Sequence, residues 1–104
     1  MTPRELAERL QGTAVPRLLD VREPWEHALA ALPGSRLIPL GELPLRVEEL
    51  ADWREVDVVV YCHHGIRSAQ AIGFLRSQGF TCLHNLSGGI DRWSGEVDLH
   101  TPRY

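Results

Sequence analysis

One cysteine stands where the chain changes from strand-like to helix-like sequence. Cys62 follows the apolar run Val58–Tyr61, and a short stretch with one glycine, Gly65, leads on to Arg67 and Ser68, where a helix pattern begins. Backbone N–H groups of such a strand–loop–helix turn can converge on a single side chain. The spacing therefore predicts a nucleophilic thiol at Cys62, held in a loop that handles sulfur.

The reactive form of such a cysteine is the thiolate. A free thiol titrates near ~8.5, so full ionisation at neutral pH needs a shift of roughly two units, or about 2.7 kcal/mol. A helix dipole supplies only about 0.3–1 kcal/mol, and ~2 when partly buried. Several N–H groups could close the gap, with Gly65 letting the backbone curl and Arg67 adding charge or bracing the loop. The alternative is an inert cysteine at a strand end, which the surrounding residues disfavour.

Two histidines, His63 and His64, follow the cysteine directly. They could polarise a substrate or supply a proton, but we favour a role at the rim, where the backbone N–H groups matter most and the side chains influence substrate preference. A second pair, Asp20 and Arg22, ends another predicted strand at the same edge. It either lines or braces the site, or forms a local ion pair that caps a turn; both interpretations stay open.

Other polar residues carry weaker signals. His84 or His100 could join Cys62 and the two histidines around a metal, but adjacent loop residues converge poorly on one ion, so we expect no metal. Cys82 lies in apolar sequence and is expected in the core, and His27 on a helix surface. Gly88-Gly89 lacks the spacing of a nucleotide-binding fingerprint. The three tryptophans are expected to be packing anchors.

Length and composition limit the remaining possibilities. The chain has 104 residues, 43% hydrophobic, a net charge of −3, and 11 basic residues, all arginine. These values predict one domain over residues 1–104 and argue against nucleic-acid binding. No stretch approaches the roughly 20 apolar residues of a membrane span, and no signal peptide is evident. Two cysteines make no disulfide framework, so free thiols and a cytoplasmic location are expected.

Strand and helix patterns alternate along the chain, which predicts an α/β fold with a mainly parallel sheet. The consecutive valines before Tyr61 suit a strand that is covered on both faces. In the helix predicted over residues 68–78, Ala69, Ile72 and Leu75 or Phe74 should face inward, and Gly73 could allow close approach to the sheet. Further helices are predicted over residues 3–12, from Pro24, over residues 44–50 and after Gly88-Gly89, and the helix from Pro24 should have an apolar face of Trp25, Ala28 and Leu29. Further strands are predicted over residues 17–21, 36–40 and 81–85. The tail from Val97 to Tyr104 is expected to be extended.

Four motifs in order resemble those of the rhodanese-like domains. The active-loop pattern is Cys62-x-x-Gly65-x-Arg67-Ser68, and the others are Leu18–Glu23, Leu32–Ser35 and Leu86–Trp93. Together they cover nearly the whole chain. The resemblance implies a rhodanese-like fold with four to five strands and helices on both faces. It also implies a sulfurtransferase without a cofactor, in which Cys62 alternates between thiol and persulfide.

The chain departs from the family pattern in two places. Ala30-Ala31 stand where the family often has Gly-His, so altered packing is expected there. The family's N-terminal strand is nearly absent, because the first helix begins at about Pro3, and a vestigial fifth strand is expected at most.

Cysteine phosphatases of related fold place five residues between cysteine and arginine, whereas this chain has four, His63 to Ile66. That difference favours sulfur transfer.

The resemblance implies a donor such as thiosulfate and an acceptor such as cyanide or a cellular thiol, with the persulfide held by the N–H groups of residues 63–67. A second hypothesis is a persulfide carrier or binding module that serves one protein partner and turns over small donors slowly. If protonated histidines attract thiosulfate, its KM should rise as pH rises through the histidine range near ~6.5.

Overall fold

The computed structural model describes all residues from Met1 to Tyr104. It is an α/β structure built on one sheet of four parallel strands in the order β2-β1-β3-β4. The helices and strands in chain order are α1 (Pro3–Leu10), β1 (Arg17–Asp20), α2 (Pro24–Leu29), β2 (Arg36–Leu37), α3 (Leu43–Arg46), β3 (Val58–Tyr61), α4 (Ile66–Ser77), β4 (Leu83–Asn85) and α5 (Gly89–Glu96), with 3-10 turns at Leu40–Glu42 and Val47–Trp53.

The two faces of the sheet bury separate hydrophobic clusters. Successive residues of β3 alternate between them, with Val58 and Val60 in one cluster and Val59 and Tyr61 in the other. The first cluster includes residues of α3 and α4, and the second includes residues of α1 and α5. The predictions of a parallel sheet, of a central strand covered on both sides and of helices on both faces are confirmed.

The predicted fifth strand is reduced to one residue. The amino group of Met1 donates to the carbonyl of Asn85, and the carbonyl of Met1 accepts from the N–H of Ser87. Directly afterwards Thr2 caps α1, and its side chain and that of Glu5 form a reciprocal capping box. Because the cap starts the helix at Pro3, the chain turns away from β4 directly after Met1.

Several details of the sequence-based prediction were wrong. The helix expected over residues 44–50 is only one turn long, and Arg46, at φ −118°, departs from helical geometry before the 3-10 turn. In α4 the buried positions are Ser68, Ala71, Ile72 and Leu75, whereas Ala69 and Gly73 are exposed. Ile72 and Leu75 face inward as predicted, but at the start of the helix Ser68 takes the inward place expected for Ala69, with its N–H on the Cys62 sulfur.

Two further predictions, for the buried face of α2 and for the tail after α5, were also wrong. Trp25, Ala28 and Leu29, the expected apolar face of α2, are exposed, and the residue of α2 that is buried is Glu26. The tail after α5 is not extended, since the N–H of Thr101 donates to the carbonyl of Asp98 and closes a turn. None of the helices has the length and apolar character required to cross a bilayer.

Candidate active site around Cys62

Cys62 immediately follows β3, at the carboxyl end of the parallel strands. Ligands of open α/β sheets bind beyond this edge. Asp20, the last residue of β1, pairs in register with Tyr61, so Asp20 and Cys62 end neighbouring strands. The cysteine is 1% exposed.

Three polar groups lie close to the Cys62 sulfur. The N–H of Gly65 donates to Sγ at 3.0 Å, the N–H of Ser68 donates at 3.4 Å, and the Ser68 hydroxyl lies 3.3 Å away. Burial raises the pKa of the Cys62 thiol, but hydrogen bonds from Ser68, Gly65 and His64 outweigh it, so the net pKa lies below the ordinary thiol value. The loop therefore favours the thiolate, the nucleophilic form.

The curvature of the loop depends on Gly65 and on a side chain from β4. Gly65 has φ 115°, in the left-handed region that favours glycine. Its carbonyl accepts from Asn85 Nδ2 at 3.1 Å, while Asn85 Oδ1 accepts from the Ser68 hydroxyl at 2.6 Å. Ser68 has one hydroxyl proton, which can turn from Asn85 to the sulfur when Cys62 ionises. The sequence analysis did not single out Asn85.

The start of α5 holds the outer side of the same loop. The N–H groups of Ile90 and Asp91 donate to the carbonyls of Cys62 and His63 at 3.0 and 3.1 Å. Gly89, the residue before Ile90, lies against both carbonyl groups, with no room for a β-carbon. Because a carbonyl and the N–H of the next residue point in opposite directions, turning these carbonyls toward α5 directs the N–H groups of His63 and His64 away from it. The Gly88-Gly89 pair therefore serves a close approach of two backbones.

Arg67 does not bond the sulfur. Its two terminal nitrogens donate to the two carboxylate oxygens of Glu26 at 2.6 and 2.9 Å. The Glu26 side chain is 4% exposed, and the hydrogen bonds from Arg67 lower its pKa to about 2 despite burial. This bidentate pair ties the first turn of α4 to α2, which fits the bracing role. Glu26 was missed because a carboxylate in a helix pattern suggests a solvated face.

The Asp20–Arg22 pair is fully buried and braces the chain around α2. Arg22 donates to both carboxylate oxygens of Asp20, at 2.9 and 2.7 Å, and to the carbonyl of Ala30 at 2.6 Å. Both side chains are 0% exposed. Neither bonds the Cys62 sulfur, so the pair holds neighbouring structure and does not line the thiol. It is connected to Glu26 through the hydroxyl of Tyr104.

The rim of the loop is formed by His63, His64 and Ile66. The His64 side chain is 61% exposed, and Ile66 is 74% exposed. The His63 ring lies between those of His64 and Tyr104, with both centroid distances 4.0 Å. Burial, followed by the neighbouring His64, lowers the pKa of His63. The rim therefore carries little fixed positive charge, because the nearby guanidinium of Arg67 is paired with Glu26.

The remaining candidates lie outside this loop. His84 bonds Asp57 at 3.0 Å, and His100 caps a turn through its N–H to Asp98. Cys82, expected in the core, is half-buried at the start of β4. Trp93 is buried as expected, whereas Trp25 is 62% exposed. His27, expected on the helix surface, is half-buried and contacts the Asp20 carboxylate at 2.8 Å.

Comparison with known proteins identifies the family. The family model for the rhodanese-like domain matches residues 2–96. This chain belongs to the rhodanese-like family. It is 38% identical to a protein of Allochromatium vinosum named sulfurtransferase, over 86% of this chain and 81% of the relative. The crystal structure of a rhodanese-related protein from Thermoplasma volcanium superposes with a TM-score of 0.83 at 34% identity, covering 93% of this chain and 91% of the other.

Rhodanese-like domains also occur within longer relatives. This chain is 38% identical to a putative sulfur carrier protein of Bacillus subtilis, YrkF, over 78% of this chain but 43% of the relative.

In the present domain, Ala30-Ala31 replace the expected Gly-His, and the Ala30 carbonyl serves as an acceptor for Arg22. A depression of about 290 Å³ beside α1 and α5 shares no residue with the Cys62 loop.

Proposed function

We propose that this rhodanese-like domain is a sulfurtransferase that passes sulfane sulfur from a donor such as thiosulfate to a thiophilic acceptor through a persulfide on Cys62. Sulfur transfer in general is supported by the family and by the sulfurtransferase-named relative. The observation that carries the mechanism is the placement of the Gly65 and Ser68 N–H groups at 3.0 and 3.4 Å from Sγ.

In the first step, the Cys62 thiolate attacks the outer sulfur of thiosulfate. A bond forms between Sγ and that sulfur, the sulfur–sulfur bond of thiosulfate breaks, and sulfite leaves with the electron pair. The product is an enzyme persulfide anion. The N–H groups of residues 63–67 are proposed to stabilise the negative charge before and after transfer, together with that of Ser68. The bonds from Gly65 and Ser68 to Sγ support this role.

In the second step, the acceptor takes the terminal sulfur. Cyanide attacks it, the bond to Sγ breaks, and thiocyanate leaves while Cys62 returns to the thiolate. A cellular thiolate would accept the sulfur in the same way and become a persulfide. No cofactor takes part, and the two half-reactions predict parallel lines in initial-rate plots.

Intact-protein mass spectrometry before and after thiosulfate tests the proposal. We expect a mass gain of one sulfur atom that cyanide removes. Cys62→Ser should lose the gain, whereas Cys82→Ser, the other thiol of the chain, should retain it. A gain that follows Cys82, or one that survives in Cys62→Ser, would refute the assignment of the nucleophile.

A second candidate function is a persulfide carrier that serves one protein partner. The similarity to the putative sulfur carrier YrkF favours it, as does the burial of Cys62 at 1% exposure. A carrier would hold a stable persulfide and release it slowly to cyanide. Rapid turnover of thiosulfate and cyanide would select the enzyme, and a long-lived persulfide with slow turnover would select the carrier.

The proposal also includes the limits of the domain, its cellular compartment and its partners. Residues 1–104 are proposed to form one domain, supported by hydrophobic clusters that pack on the two faces of one sheet. Both cysteines are free thiols, which suits a reducing compartment such as the cytoplasm. The proposed partners are a small sulfur donor, a thiol or cyanide acceptor and, for the carrier, a protein acceptor.

A further inference from the structure

The segment after α5, here called the strap (Asp98–Tyr104), returns to the active loop. A turn at Asp98 starts it, with the Thr101 hydroxyl donating to the Asp98 carboxylate at 2.9 Å. Arg103 then donates to Asp91 at 3.1 Å. Because Asp91 also donates its N–H to the His63 carbonyl, the strap is attached to the part of α5 that holds the loop. It delivers Tyr104 to the rim.

The Tyr104 ring fixes the ring of His63. The two rings stack at a centroid distance of 4.0 Å and an interplanar angle of 7°, nearly parallel. Nε2 of His63 is buried without a hydrogen-bond partner, so no polar contact at that nitrogen sets the orientation of the ring. Stacking against Tyr104 on one side and His64 on the other orients the ring.

The Tyr104 hydroxyl joins the two ion pairs of the site. It accepts from Arg22 Nη1 at 2.7 Å and donates to Glu26 Oε2 at 2.6 Å. That oxygen also accepts from Arg67. Burial, and then the bond to Glu26, raise the pKa of Tyr104 to about 12, so the phenol keeps its proton at neutral pH. The hydroxyl thus connects the buried Asp20–Arg22 pair to the carboxylate that anchors Arg67.

Arg67 lies next to Ser68, whose N–H and hydroxyl face the sulfur. A carboxylate held from one side by Tyr104 keeps Arg67, and with it the first turn of α4, in a single position. The geometry points to Tyr104 as a positioning residue for sulfur transfer, acting on the Cys62 loop through His63 and through Glu26–Arg67. The effect on transfer rests on the function proposed above, but the effect on the thiol does not.

The test measures the alkylation rate of Cys62 by iodoacetamide against pH, in a Cys82→Ser background. We expect Tyr104→Ala to raise the midpoint of the profile and to slow alkylation at pH 7 by about tenfold. A displaced loop weakens the hydrogen bonds to the Cys62 thiolate, and the loss of one hydrogen bond to a charged group changes an equilibrium by about that factor. Tyr104→Phe keeps the ring and loses the hydroxyl, and should fall between Ala and wild type. At high pH all rates should converge.

Leu99→Ala is the matched control, since Leu99 lies in the strap and is 78% exposed. Its profile should equal that of the wild type. A shared midpoint for wild type, Tyr104→Phe and Tyr104→Ala would overturn the proposal, as would an equal shift in Leu99→Ala. Mere loss of stability leaves the midpoint of the folded protein unchanged, and Tyr104→Phe keeps the test valid if Tyr104→Ala does not fold.

A parallel measurement follows persulfide formation with thiosulfate. We expect about a tenfold slower second-order rate for Tyr104→Ala, in line with its smaller thiolate fraction. If the wild type forms no persulfide, the proposed function fails for that donor, and the alkylation profile still decides the role of Tyr104. A changed profile with unchanged persulfide formation would restrict Tyr104 to the thiol and overturn its role in transfer.

Discussion

Gly89 lies directly against the carbonyl oxygen of Cys62, where an added β-carbon would come within 2.5 Å of that oxygen. The backbone of Gly89 also has φ 62°, a conformation that other residues adopt at a cost. The contact lets α5 approach the loop and take up the carbonyls of Cys62 and His63. A glycine of one helix thereby sets the direction of the His63 and His64 N–H groups in the loop that holds the nucleophile.

The first prediction follows from this contact. Gly89→Ala should lower the free energy of unfolding by about 2–4 kcal/mol, from backbone strain and overpacking, and should abolish persulfide formation. Urea denaturation and mass spectrometry measure the two effects. Gly73→Ala is the control, because no heavy atom from outside its own stretch of helix lies within 4 Å of its β-carbon position and alanine in a helix should add about 0.5–1 kcal/mol. Equal stability of the two variants would contradict the argument.

The second prediction concerns the ionisation of Cys62. Ser68→Ala removes the hydroxyl 3.3 Å from the sulfur, so the pKa of Cys62 should rise and alkylation at pH 7 should slow about tenfold, the equivalent of one hydrogen bond to a charged group. Alkylation against pH measures it. Ser77→Ala, at the exposed far end of α4, is the control and should leave the profile unchanged. A thiol that titrates identically in both variants would show that the N–H groups suffice.

The third prediction tests the Glu26–Arg67 pair. Arg67→Ala should cost about 3 kcal/mol, because it leaves the buried Glu26 carboxylate without its partner. Adding Glu26→Gln should restore part of that loss, which a double-mutant cycle by urea denaturation would reveal. Arg46→Ala removes an arginine from exposed pairs with Glu42 and Glu49 and should cost less than about 1 kcal/mol. Costs that simply add in the cycle would contradict the coupling.

The fourth prediction follows from the titration of Glu26. Its folded pKa of about 2 lies below the ordinary value of 4.5. The stabilisation is therefore present above about pH 4.5 and is lost as pH falls toward about 2, by at most about 3 kcal/mol. Unfolding free energy measured from pH 6 to pH 2 should decline less steeply in Glu26→Gln than in the wild type. Parallel curves would argue against a depressed pKa for Glu26.

The fifth prediction refines the expected effect of pH on thiosulfate. A protonated His63 attracts the dianion, so the KM for thiosulfate should rise as pH rises and the ring loses its charge. Since burial lowers the pKa of His63, the part of the KM increase that is due to His63 should occur below about pH 6.5. Kinetics corrected for Cys62 ionisation would measure it, with His63→Asn expected to lose that part. A flat wild-type KM would remove the histidine from donor binding.

The sequence predicted what local pattern determines and missed what distant contacts determine. Consecutive valines identified β3, and the Cys62–Ser68 spacing identified the loop at its end. Glu26 was unpredictable because its burial depends on Arg67, 41 residues away. Tyr104 contacts Glu26 across 78 residues, and no composition or periodicity reports such a pair.

The inward face of α4 illustrates a third kind of limit. The apolar pattern alone favoured Ala69, whereas the structure buries Ser68 and exposes Ala69. Ser68 is polar, but its hydroxyl and N–H are satisfied by Asn85 and by the sulfur. Burial of a polar side chain is inexpensive once its hydrogen bonds are made, and those partners become visible only when the strands are assembled.

The short outer strands of the sheet also affect self-association. Its outer strands, β2 and β4, are only two and three residues long, and Met1 occupies part of the outer side of β4 through Asn85 and Ser87. Exposed strand edges are templates for intermolecular pairing, and short or covered edges suppress it. A domain with so little open edge should resist strand-mediated aggregation even at the high concentrations needed for spectroscopy.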